Sequence, residues 1–280
     1  MKPPAFTYHR PRSLDETLDV LAGLGPDGKV LAGGQSLVPL MSMRLSAPAH
    51  LVDVNHVPGL SSVDFDADVV RVGALVRHSA LEHHEAAYGA VPLLRQALVH
   101  VAHPTIRNRG TTVGSLVHGD PAAEMPAVLL LLDGSVTLRS ASGAREVSAA
   151  DFFTGPMESD VRAGELAVAA TFRRPAPGAR SAFVEVARRH GDYAMCGVAA
   201  LVEEGRVRVA LVSVGAGPVL VDLTAVLDGP APDPAATRDL VDAAIEPEGD
   251  IHASADYRRH LAHVLVGRAL EQALGQEEVA

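Results

Sequence analysis

Leu14, Leu18 and Leu21 recur at helical spacing, and Ser13 with Glu16 has the spacing of a capping box, which predicts a helix over 13–24. Residues 23–28 break it. Lys29, Val30, Leu31 and Ala32 read as a short strand, the pair Gly33 and Gly34 as a turn, and 36–44 as a second helix. Residues 51–54 read as another strand. This opening, 1–55, is a small α/β unit. After Asn55 the pattern changes. Two short alternating runs at 63–65 and 69–72, with Asp66, Ala67 and Asp68 between them, predict a hairpin. Helical stretches follow at 78–84, 91–101 and 122–132, and strands at 136–138 and 166–171. The unit 56–175 is therefore an α+β assembly.

Arg174, Pro175, Ala176, Pro177 and Gly178 mark a boundary. Beyond it lie three strand candidates at 182–187, 196–202 and 207–214, the last two joined by the turn Glu203, Glu204, Gly205. A polar, proline-rich stretch at 228–234 precedes two helices. Asp233 is placed to cap the first, with Pro234 at its first position. The second starts near Ser254 and puts Tyr257, Leu261, Val264 and Leu265 on one face. The region 176–280 thus predicts a three-stranded antiparallel sheet with a small helical bundle.

A length of 280 residues suits about two domains. The charge balance, 24 basic against 34 acidic residues, gives −10 and argues against nucleic acid and anionic lipid as partners. An apolar share of 48% is too high for disorder. No apolar run approaches the ~18 residues that span a bilayer; 125–132 is the densest. The first thirteen residues lack the apolar stretch of a secretory signal, so a cytoplasmic protein is expected. Cys196 is the one cysteine. An internal disulfide, a four-thiolate zinc site and an iron–sulfur cluster on this chain alone are excluded. Redox chemistry here requires an organic cofactor or a partner.

Two segments carry candidate chemistry, and one is a decoy. Residues 23–28 match G-x-G-x-x-G, but they follow a helix and precede a strand. That is the reverse of the order that aims a helix N-terminus at a pyrophosphate. The better segment is Ala32, Gly33, Gly34, Gln35, Ser36 and Leu37, in the order strand, glycine pair, helix. Adjacent glycines let successive N–H groups converge on an anion, and Ser36 is placed to cap the helix. A tight turn without ligand is the competing reading. The second segment, 102–115, ends in Thr111, Thr112, Val113, Gly114 and Ser115. Its hydroxyls suit phosphate or ribose oxygens, and Gly114 suits a close backbone approach. A polar surface loop, with Asp120 capping the next helix, competes. Arg107 and Arg109 read either as phosphate ligands or as solvent and interface residues. His100 with His103, and His260 with His263, are three apart. No cysteine or carboxylate completes a metal set at familiar spacing, so no metal site is expected. Cys196 reads as a buried strand residue, Tyr193 as either a core or a site aromatic, and Glu124 as either a site carboxylate or a first-turn helix residue.

Together, VLAGGQSLVPLMSMRL and HPTIRNRGTTVGSLVHGDPAAEMPAVLLLLDG, with PPAFTYHRPRSLDETLDVL before them and RRHGDYAMCGVAAL after, resemble the FAD-binding subunits of molybdenum hydroxylases. The resemblance covers nearly the whole chain. It implies a two-lobed FAD-binding fold of the vanillyl-alcohol oxidase (PCMH) type over 1–175 and a C-terminal flavoprotein domain over 176–280. It implies noncovalent FAD in the cleft, with the pyrophosphate against 32–37 and 111–115. By the same resemblance Glu124 reaches ribityl or ribose hydroxyls with Asp120 close by, Val101 lies beside the cofactor, and Leu166 lies by the isoalloxazine. Tyr193 matches an aromatic near the flavin ring. The implied partners are a small subunit with 2Fe–2S clusters and a large subunit with molybdopterin, in a dimer of heterotrimers. Electrons would pass from the clusters through FAD to an external acceptor, with no catalytic acid or base on this chain. A module without FAD and a free-standing FAD oxidase are the alternatives. One position departs from the family: Val113 stands where a glycine is usual. A β-branched residue resists φ > 0, so the loop is expected to be extended or shifted there.

Overall fold

The chain is described from a computed structural model covering residues 2–203, 205–229 and 231–275. Met1, Glu204 of the expected turn and Pro230 of the proline-rich stretch lie outside the described residues. The first layer contains β1 (Thr7–His9), α1 (Leu14–Leu24), β2 (Gly28–Leu31), α2 (Leu37–Ser42) and β3 (His50–Asp53). Its strands are parallel, in the order β1-β3-β2. The Ser13 hydroxyl accepts from the Glu16 N–H, as the capping box requires. Glu16 reaches back to the N–H of Arg12 rather than that of Ser13. A single 3₁₀ turn at Gly25–Asp27 separates α1 from β2, so the G-x-G-x-x-G run is a helix-ending turn.

The second layer opens with the hairpin β4 (Val63–Phe65) and β5 (Val69–Gly73). Six short helices follow: α3 (His78–Glu82), α4 (Glu85–Ala90), α5 (Pro92–Leu98), α6 (Pro104–Arg107), α7 (Thr112–His118) and α8 (Glu124–Leu131). Then come β6 (Ser135–Ser140), β7 (Gly143–Ser148), α9 (Ala149–Phe152), the small pair β8 (Phe153–Gly155) and β9 (Glu158–Ser159), and β10 (Leu166–Arg173). The strands β4-β5-β10-β6-β7 form an antiparallel sheet. Helix α8 is apolar on nearly every side because it is covered on every side. It packs on α5 and α7 and against the C-terminal sheet.

That sheet has four strands rather than the expected three: β11 (Arg180–Ala187), β12 (Ala194–Glu203), β13 (Arg206–Val212) and β14 (Val219–Asp222), antiparallel in that order. The fourth is a four-residue strand after the turn at 215–218, too short to show a period. A two-residue ladder, β15 (Leu227–Asp228) with β16 (Ala231–Pro232), precedes α10 (Pro234–Ala244) and α11 (Ala255–Leu274). Asp233 caps α10 through the Ala236 N–H. Helix α11 lies on the sheet rather than in a bundle. Leu261 and Leu265 are buried there as expected. Tyr257 is exposed, and the buried face runs on instead through Ala262, Val266, Ala269 and Ala273. Strand β12 is buried almost throughout because both of its faces are covered. Ala199 and Leu201 join the core with α8, while Cys196, Val198 and Ala200 join the core with α11. No helix among the described residues is long and apolar enough to cross a membrane.

Candidate functional site

At the C-terminal ends of β2 and β3, where parallel sheets bind ligands, two loops cross in contact. A Cβ added to Gly33 would lie 2.5 Å from the Arg109 carbonyl oxygen and 2.7 Å from Gly110 Cα. Only glycine allows two backbones this close. Gly34 has φ +70°, the left-handed region that glycine enters freely. A polar chain pins the crossing. The Tyr8 hydroxyl donates to Asp53 Oδ2 (2.5 Å), and Asn55 Nδ2 donates to Asp53 Oδ1 (2.6 Å) and to the Ala32 carbonyl (2.8 Å). Arg77 donates to Asn55 Oδ1 (2.6 Å) and to the Arg109 carbonyl (2.5 Å). Burial pushes the Asp53 carboxyl up. The bonds from Tyr8 and Asn55 outweigh burial and hold it below its ordinary range.

The result is a pocket of about 360 Å³ lined by residues 31–35, Val38, Pro39, Asp53, Asn55 and Arg109. Among the described residues, the backbone N–H groups of Gly33, Gly34, Gln35 and Ser36 donate to nothing in the protein, and the exposed Arg109 guanidinium has no partner. Successive free N–H groups beside a free arginine are the donor set that suits an anion. Ser36 does not cap α2 through its side chain. Its backbone is already helical (φ −96°, ψ −47°), and helix α2 ends at Ser42, short of Arg44.

The second segment is a loop at 108–111; its end, 112–115, is helix. Thr111 is the N-cap of α7, and its hydroxyl accepts from the Gly114 N–H (3.1 Å). A Cβ at Gly114 would lie 2.5 Å from that hydroxyl, so the glycine makes room for the cap. Thr112 is buried and pairs with Nδ1 of His78 (3.3 Å). Ser115 lies one turn on, half-buried. Val113 occupies a helical position with its side chain in the core, so neither an extended loop nor strain is found there. The Val113 N–H is a further free donor in the first turn of α7. Asp120 is not the cap of α8, which starts after Ala123; its carboxylate accepts from the Ala122 N–H in a local turn.

Asp120 and Glu124 are both buried and belong to a second cluster, which the C-terminal sheet completes. The Ser213 N–H, just past β13, donates to the Pro121 carbonyl (2.8 Å). Gly191, with φ +86°, lies so close to the His103 ring that a Cβ there would fall 2.4 Å from it. Tyr193 leads into β12 with 67% of its surface exposed, which rules out the core reading. Partial desolvation, then the charges of Asp120 and Glu124, raise its hydroxyl pKa. Burial, then the charges of Glu185 and Asp120, push the Glu124 carboxyl up to about 8. The sign follows. Between the ordinary 4.5 and about 8 the unfolded chain has lost this proton and the folded chain keeps it. Stability therefore falls as pH rises through that window. Melting temperatures of Glu124→Gln should fall less than those of the natural chain over the same rise in pH.

Two family matches span most of the chain. Residues 4–172 match the FAD binding domain in molybdopterin dehydrogenase, and residues 181–273 match the CO dehydrogenase flavoprotein C-terminal domain. The chain belongs to the FAD-binding subunits of the molybdenum hydroxylases. It is 39% identical to the 6-hydroxypseudooxynicotine dehydrogenase complex subunit alpha of Paenarthrobacter nicotinovorans, over 98% of this chain and 96% of that protein. It is 34% identical to the carbon monoxide dehydrogenase medium chain of Afipia carboxidovorans, over 98% of each. Its fold superposes on a chain of carbon monoxide dehydrogenase from Hydrogenophaga pseudoflava with a TM-score of 0.92, at 34% identity, covering 98% of this chain and 99% of that one.

In this FAD-binding subunit the remaining candidates fall elsewhere. The side chains of Val101 and Leu166 pack into the apolar core rather than lining the open pocket. Arg107 is buried. It pairs with Glu82 at 2.8 Å and donates to the carbonyls of Val101 and Ala102, so it is no phosphate ligand. Cys196 is buried, and its thiol is pushed up to about 12 by burial. His100 faces Glu185, and His263 faces Asp242. The residues that sequence reasoning missed are Asp53, Asn55 and Arg77. A signal for the first two existed: polar residues two apart at the C-terminal end of a parallel strand.

Proposed function

We propose that the pocket at Gly33 holds the diphosphate of noncovalently bound FAD, and that the flavin side of the cofactor runs toward Asp120, Glu124 and Tyr193. The carrying observation is the glycine crossing, beside which Gly33, Gly34 and Gln35, with free N–H groups, and the unpaired Arg109 line one pocket. In this reading residues 1–175 form the two-lobed flavin-binding fold of the vanillyl-alcohol oxidase type, and 176–280 form the second domain. Tyr193, exposed beside the two carboxyls, is free to stack on the isoalloxazine. Ser115, the Val113 N–H and the backbones of Val101 and Leu166 complete the cleft.

When bound, FAD supplies exchange between one- and two-electron carriers. The chain binds and orients it. Electrons arrive from an iron–sulfur small subunit, drawn in turn from a molybdopterin large subunit, and leave to an external acceptor. The assembly is a dimer of heterotrimers in the cytoplasm. The relatives named as a complex subunit and a medium chain support this role. A contact of this kind buries on the order of 2,000 Å² or more. The test is direct. Acid or heat should release intact FAD from the purified chain, and dithionite should bleach it. No purine, aldehyde or N-heterocycle should be oxidised until both partner subunits are added. A chain that never holds flavin would be an assembly module, and substrate turnover by the chain alone would make it a free-standing oxidase.

A further inference from the structure

The ladder between β12 and β13 stops at Gly197 and Val212, so Ala194, Met195 and Cys196 at the start of β12 lie outside it. On the other side the register against β11 slips, with Val186 opposite Cys196 and Ala187 opposite Ala194. Met195 is the extra residue of a β-bulge, a feature that bends a strand and re-aims its neighbours. The neighbour here is Tyr193, whose exposed phenol makes no side-chain hydrogen bond among the described residues. Its place is set through the backbone.

Ser213 stands where the ladder would have continued. Just past β13, it is buried and takes the left-handed backbone (φ +62°), which is costly for a residue with a Cβ. Each of its polar groups is engaged. Its Oγ donates to the Ala194 carbonyl (2.6 Å), its N–H donates to the Pro121 carbonyl (2.8 Å), and its own carbonyl accepts from Arg258 Nη1 of α11 (3.2 Å). The same Nη1 donates to the Met195 carbonyl of the bulge (2.7 Å), and Nη2 donates to Asp250 Oδ2 (2.7 Å). The peptide between Pro121 and Ala122 is gripped twice, by Ser213 at its oxygen and by the Asp120 carboxylate at its N–H (2.9 Å). One buried, strained residue therefore ties the carbonyl just after Asp120 to the carbonyl just after Tyr193. Strain of this kind persists only where the surroundings over-determine it.

We propose that Ser213 is a positioning residue of the flavin site: its hydroxyl fixes where Tyr193 stands relative to Asp120, and so how closely the phenol covers the isoalloxazine. The ligand rests on the FAD reading above; the hold on Tyr193 does not. Glycine at 213 keeps the N–H, the carbonyl and the left-handed backbone, and removes the hydroxyl. Tyr193 is then loosened while the strain is relieved. Threonine keeps the hydroxyl but adds a β-branch that resists φ > 0. Stability and the flavin's surroundings therefore move in opposite directions in the two variants.

The test uses the full chain, with and without FAD. In the FAD-loaded chain Ser213→Gly should raise flavin fluorescence several-fold, since an electron-rich phenol against the ring quenches it. It should also raise the flavin midpoint potential, since the negative face of that phenol disfavours the charge of the reduced ring. Tyr193→Ala should do the same, and the double variant should add nothing to Tyr193→Ala, because both act through one contact. Ser213→Thr should melt below Ser213→Gly yet keep the natural fluorescence; if it does not fold, the glycine and double variants decide alone. Without FAD, 3-fluorotyrosine labels all four tyrosines. The fluorine resonance missing in Tyr193→Ala should narrow in Ser213→Gly as the side chain is freed. Natural fluorescence and line width in Ser213→Gly would overturn the proposal, and so would a Ser213→Gly effect undiminished by Tyr193→Ala. A resonance that narrows as described in a chain that binds no FAD would sink the cofactor reading and leave the hold of Ser213 on Tyr193 standing.

Discussion

Gly33→Val is expected to strip FAD from the protein. The added Cβ alone would stand 2.5 Å from the Arg109 carbonyl oxygen and 2.7 Å from Gly110 Cα. Both are backbone atoms, and the Arg109 carbonyl is also held by Arg77. The two loops must part, and the N–H groups of 33–35 are then no longer held at the pocket. Each lost charge-assisted hydrogen bond to a diphosphate costs about 1.5–3 kcal/mol, so two of them weaken binding on the order of a hundredfold or more. Gly33→Ala should behave almost as badly, because the clash begins at Cβ. Gly23→Ala is the control. That glycine lies inside α1 with nothing within 4 Å, so alanine should add about 1 kcal/mol of helix stability and leave FAD alone. Gly25 is a poorer control than its sequence context suggests, since φ +55° would strain any side chain. Equilibrium dialysis at limiting FAD, with circular dichroism to confirm folding, reads the outcome. Full occupancy of a folded Gly33→Val would move the diphosphate elsewhere.

The glycine pair was legible because strand, glycine pair and helix follow one another within a dozen residues. What the glycines are for was not, since the surface they touch lies some seventy residues on at Arg109 and Gly110. Sequence separation also hid Arg77, whose two bonds reach Asn55, 22 residues back, and Arg109, 32 residues on. Helix α1 was legible through local chemistry, a capping serine and leucines in phase. Helix α7 was not. Thr112, Val113, Gly114 and Ser115 are poor helix formers, and what holds them helical is burial of Thr112, Val113 and Leu116 against the rest of the fold. Strands β1 and β14 were too short to show a period and exist through their neighbours. Tertiary contact, rather than local preference, accounts for each of these misses.

Asp133→Asn should be among the most destabilising single-atom changes in the chain. Arg208 is 1% exposed, and its Nε and Nη2 have no hydrogen bond. Its charge is answered by Asp133, 2.7 Å from Nη1, and more distantly by Glu203 at 3.8 Å. Glu203 is already held by Arg173 at 2.9 Å, so it cannot replace the lost carboxylate. Asparagine tolerates the left-handed backbone at 133 (φ +49°), which isolates the effect of charge. Removing one partner of a buried pair costs about 3–5 kcal/mol. Asp133 is itself 46% exposed, so water makes up part of the loss and the lower end applies, about 3 kcal/mol. At roughly 2–4 °C per kcal/mol for a chain of this size, the melting temperature should drop by about 6–12 °C. The double variant Asp133→Asn with Arg208→Met, which removes the stranded cation as well, should recover most of that loss. Acid supplies an independent check. Burial pushes the Asp133 carboxyl up, but Arg208 and Arg173 outweigh it and hold its pKa below the ordinary 3.8. Its contribution is therefore present in full above that value and lost as pH falls through the lowered one, so the natural chain and Asp133→Asn should converge only in strong acid. Equal melting temperatures at neutral pH would mean that Glu203 or water already satisfies Arg208, and that the packing of α8 on β13 does not depend on this pair.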